Sequence, residues 1–170
     1  MTDDPLVEPA EPPLPPSVMS RVVNPVVARL LASPFHGPLS DSLLLVSVVS
    51  RKTGTVYTTP VGYEQHESTL RVWTHHSTWW KNLRGGAPVR VLLRGAWRTG
   101  RATVVEDDDR VAALVRDALV RHGVDHGPRV GVEVRGDEVP SEDALADAVG
   151  GLVAVEIDLD ADATFPGEGT

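Results

Sequence analysis

The sequence predicts a mainly β domain with two to four flanking helices, its six or seven short strands rolled into a closed or nearly closed barrel. Three observations lead there. Short segments rich in Val, Leu and Thr follow one another, separated by joints of Gly, Ser, Asn or charged residues, which is strand and turn punctuation. A few intervening segments carry helical spacing or helix caps. So many short strands in 170 residues would leave long sheet edges exposed unless the sheet closes on itself. A hydrophobic content of 41% supplies one packed core, and two full domains would be cramped.

In chain order, residues 1–17 hold six prolines and several acids without an apolar period, so they are expected to form a disordered arm. One domain is expected over 18–160, followed by a flexible tail at 161–170. From Val18 to Leu31, Val22, Val26 and Leu30 recur at helical spacing, with Pro25 starting or kinking the helix and Ser33-Pro34 ending it. Leu43 to Val49 and Thr55 to Tyr63 read as a hairpin around the Gly54 loop, with strands again at Leu70 to Trp73, Val89 to Leu93 and Trp97 to Glu106. Between them, Ser77 to Arg84 has the residue types of a short helix on which Trp79, Asn82 and Leu83 share a face. Asp107, Asp108 and Asp109 start a helix that buries Val111, Leu114, Val115 and Leu119 and stops near Gly123. Arg129 to Val134 and Leu152 to Leu159 are expected as closing strands around a small helix near Ser141 to Val149.

Composition removes several chemistries. With no cysteine, the chain has no disulfides, thiolate ligands or thiol nucleophile. It shows no G-x-S-x-G elbow, no Walker loop and no G-x-G-x-x-G opening a helix, which leaves hydrolase and nucleotide-loop readings without support. The N-terminus lacks a basic segment followed by an apolar run, and no apolar run reaches membrane-spanning length, so a cytoplasmic protein is expected. Net charge is −8, which disfavours nucleic acid as a partner. Its distribution is uneven: residues 51–101 hold nine Lys or Arg against Glu64 and Glu67 alone, +7 in a chain that is −15 elsewhere. The basic middle suits an anionic ligand, although Arg on the outward positions of strands gives the same count.

Two constellations could carry that ligand. Ser50-Arg51-Lys52-Thr53-Gly54 puts a guanidinium, an ammonium, a hydroxyl and turn amides at one tight turn; such groups can cradle a phosphate, each charged hydrogen bond contributing roughly 1.5–3 kcal/mol. The same residues also suit a solvated hairpin tip. Thr74-His75-His76-Ser77-Thr78-Trp79-Trp80-Lys81-Asn82-Leu83-Arg84 runs from a strand end into a helix start, and helix N-termini attract anions. Its two tryptophans serve equally as core or rim. No metal is expected, because adjacent His75 and His76 on a strand point to opposite faces and no third ligand stands at a recognisable spacing.

From about Leu43 to Val105, R-K-T-G-x-x-Y-x-T-P-V-x-Y followed by W-W-K-N-L-R-G-G-A-P-V-x-V resembles the deazaflavin-dependent nitroreductase family of actinobacteria. The resemblance implies a split β-barrel of the FMN-binding-like kind and an oxidoreductase that binds coenzyme F420, a hydride carrier with a phosphate and an oligoglutamate tail, and reduces quinones or nitro-compounds. It implies that Arg51, Lys52, Thr53 and Gly54 line the phosphate turn and that Pro60 and Val61 lie near the ring system. It implies further that Trp79 and Asn82 stand beside the cofactor and that His75, His76 and Ser77 add contacts. Ser50 stands where the family usually has Gly. A donor near a developing oxyanion would help such a reaction, and His75, His76 and Tyr63 are the candidates. FMN is the alternative cofactor; an FMN- or haem-binding barrel, a non-catalytic binding module and a homodimer whose interface uses Trp79 and Trp80 stay open as other readings.

Overall fold

The computed structural model describes residues 6–10, 24–75 and 77–166. His76 and parts of the expected arm (1–5, 11–17), first helix (18–23) and tail (167–170) lie outside them. Where one domain was expected over 18–160, the described residues fall into two compact units, one of residues 6–10, 73–75, 77 and 105–154 and one of 24–72, 78–104 and 155–166.

The second unit holds most of a seven-stranded sheet in the order β3-β2-β6-β7-β9-β5-β4. Its strands are β2 (Leu43–Val49), β3 (Val56–Gly62), β4 (Glu64–His66), β5 (Thr69–Thr74), β6 (Ala87–Leu93), β7 (Ala96–Val105) and β9 (Val153–Asp158). The pairs β2-β3, β2-β6, β4-β5 and β6-β7 are antiparallel. Strands β3 and β4 end the order on opposite sides, yet Tyr63 alone separates them in the chain. A flat sheet of seven strands would hold its edges about 29 Å apart, whereas two residues of chain reach no more than about 7.6 Å. The sheet therefore curls until its edges meet at Tyr63, and no ladder joins β3 to β4 among the described residues: the barrel is split along that seam, as the sequence led us to expect.

Register decides what fills it. Val48 faces Tyr57 and Val46 faces both Thr59 and Val91, and on one side Leu44, Val46, Val48, Val89 and Val91 are fully buried. On the other side, helix α1 (Asn24–Leu31) packs Val27, Ala28 and Leu31 onto Leu45 and Leu92. This covering explains why β2 reads as an unbroken apolar run rather than an alternating one. Pro25 sits in the first turn of α1, where its missing N–H costs nothing. A four-residue helix, α2 (Gly37–Ser40), follows; neither it nor β4 was expected. Pro60 lies on an edge strand, the place in a sheet where proline is tolerated.

The first unit contains a two-stranded sheet of β1 (Leu6–Pro9) and β8 (Val132–Arg135), with α3 (Asp108–His122), a 3-10 helix at Val124–Val130 and α4 (Glu142–Ala148). Three expectations are corrected. Part of the arm expected to be disordered is a strand, paired through Leu6 to Arg135 and Pro9 to Val132. The segment expected as a closing barrel strand over Arg129 to Val134 is divided between the 3-10 helix and β8, which among the described residues pairs with β1 alone. In the second unit, Phe165 of the expected flexible tail is buried. Helix α3 starts as expected, the Asp107 carboxylate accepting the Arg110 N–H at 3.1 Å, and stops at Gly123, whose φ of +91° suits a glycine. Its Val111, Val115 and Leu119 join Val130, Val132, Leu145 and Leu152 in this unit's core.

Candidate functional site

The site grows from the tip of the β2-β3 hairpin. Ser50 N–H donates to Thr55 O at 2.9 Å and Gly54 N–H to Ser50 O at 2.8 Å. Gly54 has φ +70°, a left-handed conformation that glycine adopts without strain. Thr53 N–H points to Ser50 Oγ at 3.4 Å and Thr55 N–H to Thr53 Oγ1 at 3.3 Å. Ser50 thus contributes an acceptor that a glycine there would lack. The expectation that turn amides face a ligand is corrected: most are closed on the turn itself, and what the exposed tip offers outward is the side chains of Arg51, Lys52 and Thr53.

The tip is fastened to the segment that follows β5. Arg51 N–H donates to Asn82 Oδ1 at 2.9 Å, and the Arg51 guanidinium donates through Nη2 to the Arg84 carbonyl. Asn82 Nδ2 donates to Tyr57 Oη at 2.8 Å and to Trp79 O at 3.0 Å. The Tyr57 hydroxyl in turn reaches Trp79 O at 3.4 Å. Residues Trp79–Leu83 form a five-residue 3-10 helix without a side-chain cap, not the expected α-helix. Three residues per turn eclipse i and i+3, so Asn82 stays above Trp79, as expected, while Leu83 moves to the face of Trp80. Both tryptophans are buried. Arg84 lies over the Trp80 ring at 4.9 Å and Lys81 at 5.8 Å, a placement in which ring quadrupole and cation attract.

Not every expected residue comes to this place. Pro60 pairs with Leu45 and Val61 with Leu44, so their side chains point to opposite faces of the sheet and only one can face a given ligand. Tyr63 sits beyond the far end of β3, seven residues past Val56, the first strand residue after the tip, or about 23 Å at strand rise. It is buried, with its hydroxyl donating to Ser40 O at 2.5 Å. His75 and Ser77 belong to the other compact unit. There His75 Nε2 lies 3.4 Å from where a Cβ on Gly151 would stand, and Ser77 Oγ is 2.5 Å from Thr74 Oγ1. Tyr57 is the residue that sequence reasoning missed as part of the site. Its signal was alternation, because a tyrosine on the same face as Thr59 and Val61, one strand residue from the tip, must turn toward whatever holds the tip. Burial raises the Tyr57 pKa above 10.0, against the opposing hydrogen bond from Asn82, so the phenol is neutral at physiological pH.

Among solved structures, an FAD- and haem-binding protein of Mycobacterium smegmatis is 20% identical, with 78% of this chain and 69% of that chain covered at a TM-score of 0.42. An F420 reductase is 14% identical over 71% and 88% at 0.40, and a haem storage protein of Vibrio cholerae is 12% identical over 81% and 90% at 0.44. No curated protein matches. The family model of the F420H(2)-dependent quinone reductases matches residues 27–126, more than half of the chain and the whole of the hairpin, its tip and the 3-10 helix. The chain therefore belongs to the F420H(2)-dependent quinone reductase family, and is an oxidoreductase that works with coenzyme F420.

Proposed function

We propose that this protein reduces a small acceptor, a quinone or a nitro-compound, by hydride transfer within the split barrel, with the cofactor's phosphate seated at Arg51, Lys52 and Thr53. The observation that carries the reading is the basic tip pinned to the 3-10 helix. Arg51 and Lys52 from the tip, Lys81 from the helix and Arg84 just past its end are all exposed. No Asp or Glu occurs over residues 43–63 or 68–105. A donor set of guanidinium, ammonium and hydroxyl without a carboxylate fits an anionic group and would repel a cation.

When bound, the deazaflavin supplies hydride chemistry, two electrons carried with one proton, for which the protein needs no nucleophile of its own. The chain's residues bind and orient. Lys52 and Arg51 neutralise the phosphate, Thr53 offers a hydroxyl, and Asn82 with Tyr57 holds the tip against the 3-10 helix. Trp79 and Trp80, buried side chains of the 3-10 helix, add apolar surface that limits water there, and pre-set geometry of this kind lowers the entropic barrier to reaction. Tyr57 remains a neutral hydrogen-bonding group throughout.

The test is titration of the purified protein with oxidised coenzyme F420 and with FMN, followed by tryptophan quenching. The reduced cofactor is then mixed with quinone and nitroaromatic acceptors, and its oxidation is recorded. Saturable F420 binding with turnover of either acceptor class is expected. Binding of FMN in place of F420, or F420 binding with neither acceptor reduced, would overturn the reading.

A further inference from the structure

We infer that Asn82 is the positioning residue of the anion turn: it acts on the cofactor through Arg51, by fixing the backbone from which the phosphate-facing side chains project. The inference rests on the reading of the turn given above and deepens it. An exposed hairpin tip is the least restrained part of a sheet, and a ligand that must order it loses affinity in doing so. Here one side-chain amide removes that freedom. Oδ1 holds the Arg51 N–H, and the two hydrogens of Nδ2 go to Trp79 O and Tyr57 Oη.

The orientation of the amide is set by its partners. Arg51 N–H can only donate and the Trp79 carbonyl can only accept, so Oδ1 must face the turn and Nδ2 the helix. No shorter or longer residue does this. Aspartate keeps an acceptor for Arg51 but has no hydrogen for Trp79 O, glutamine displaces the amide by one methylene, and alanine leaves three polar groups without Asn82. The tip is therefore joined to the 3-10 helix at two adjacent points, through Asn82 at the Arg51 backbone and through the Arg84 carbonyl at the Arg51 guanidinium. With the Arg51 amide held by Asn82 and the Thr53 and Gly54 amides closed inward, Lys52 and Thr53 are presented at a fixed angle.

The test compares wild type, Asn82→Ala, Asn82→Asp and Tyr57→Phe. Amide hydrogen exchange at Arg51 is read on the protein without ligand, affinity by tryptophan quenching with coenzyme F420 and with inorganic pyrophosphate, and KM and kcat with the reduced cofactor. In Asn82→Ala, Arg51 exchange is expected to rise about tenfold and both affinities to fall about tenfold, the effect of losing about one hydrogen bond. KM for the cofactor should rise while kcat at saturation holds, since a preorganising role is uniform binding. A merely structural role would instead lower the active fraction, hence kcat, at constant KM. Asn82→Asp should keep Arg51 protection while binding anions more weakly, because it places a carboxylate beside the turn. Unchanged Arg51 exchange in Asn82→Ala, or faster exchange with unchanged affinities, overturns the inference. Should Asn82→Ala not fold, Tyr57→Phe decides it: a rise of about threefold in Arg51 exchange is expected, and no change overturns it. Wild type that binds neither F420 nor pyrophosphate would remove the cofactor reading itself, a failure distinct from wild type that binds while Asn82→Ala binds equally well.

Discussion

Replacing Lys52 by alanine separates charge from geometry at the tip. Among the described residues the Lys52 side chain makes no hydrogen bond or ion pair, so its loss leaves the Ser50-Thr55 and Gly54-Ser50 bonds in place. If the phosphate is seated at the tip as proposed, what disappears is one charged hydrogen bond to it, roughly 1.5–3 kcal/mol, and because each 1.4 kcal/mol is tenfold in Kd, coenzyme affinity should fall about 10- to 150-fold. Arg51→Ala should lose at least as much and should also lower Tm, since its guanidinium is bonded to the Arg84 carbonyl. Tryptophan-quenching titrations at about 0.1 M and 1 M salt supply a second criterion. The Debye length shrinks from about 10 Å to about 3 Å over that range, so wild-type binding should weaken with salt and Lys52→Ala binding should weaken less. Equal Kd values, or parallel salt dependences, would refute the assignment of the phosphate to this turn.

Gly100→Ala should destabilise the barrel, because the new Cβ would stand 2.8 Å from Asp158 O and 2.9 Å from Ile157 Cγ2. Overpacking of this kind costs about 1–3 kcal/mol, a fall in Tm of several degrees that thermal denaturation would show or deny. Tyr63→Phe removes the hydroxyl donated to Ser40 O at the seam. A loss of about 1–2 kcal/mol with unchanged cofactor affinity is expected, and a weakened affinity would contradict the distance between seam and tip. Burial raises both Tyr57 and Tyr63 above 10.0. A group whose folded pKa is raised contributes stability that is complete below its unfolded value and lost as pH rises through the folded one, so these phenols weaken the fold only above about pH 10. Phenolate absorbance developing in native protein at pH 9 would show this to be wrong.

Sequence made the strands and the turn legible because their signals are local. An apolar run, a glycine-closed R-K-T-G loop and alternating Thr59 and Val61 state their own conformation. What escaped it depends on partners far along the chain. Leu6–Pro9 looked unstructured because the strand it pairs with begins at Val132, and no property of L-V-E-P announces that partner. Arg129 to Val130 carried strand composition but follows the positive-φ Gly123 and leads into Gly131 at φ +85°, and two such breaks leave room only for a 3-10 turn. The site was half legible. Arg51 to Gly54, Trp79 and Asn82 are brought together, yet Tyr57, although a fixed position of the motif that carries the resemblance, was given no role there; its role follows from which face of β3 it occupies. Pro60 and Val61, adjacent in sequence, are divided by the same alternation.

The charge pattern shows why net charge is a poor guide to a binding site. A chain at −8 overall should repel a phosphate, and at long range it does. The repulsion is cut off by salt within about 8–10 Å, while an anion at the tip is within hydrogen-bond reach of Arg51 and Lys52 and close to the helix that carries Lys81 and is followed by Arg84. At contact, interaction energy scales inversely with distance and with a dielectric lowered by Trp79 and Trp80, so two cations at hydrogen-bond distance outweigh many acids beyond the screening length. The excess of acids outside residues 51–101 then has a separate effect: it leaves the protein far from neutrality, which favours solubility, without placing a carboxylate among the residues proposed to meet the phosphate. On the proposed assignment, the segment that binds and the segments that set the overall charge can vary independently, and the +7 stretch rather than the −8 total is the quantity that bears on the ligand.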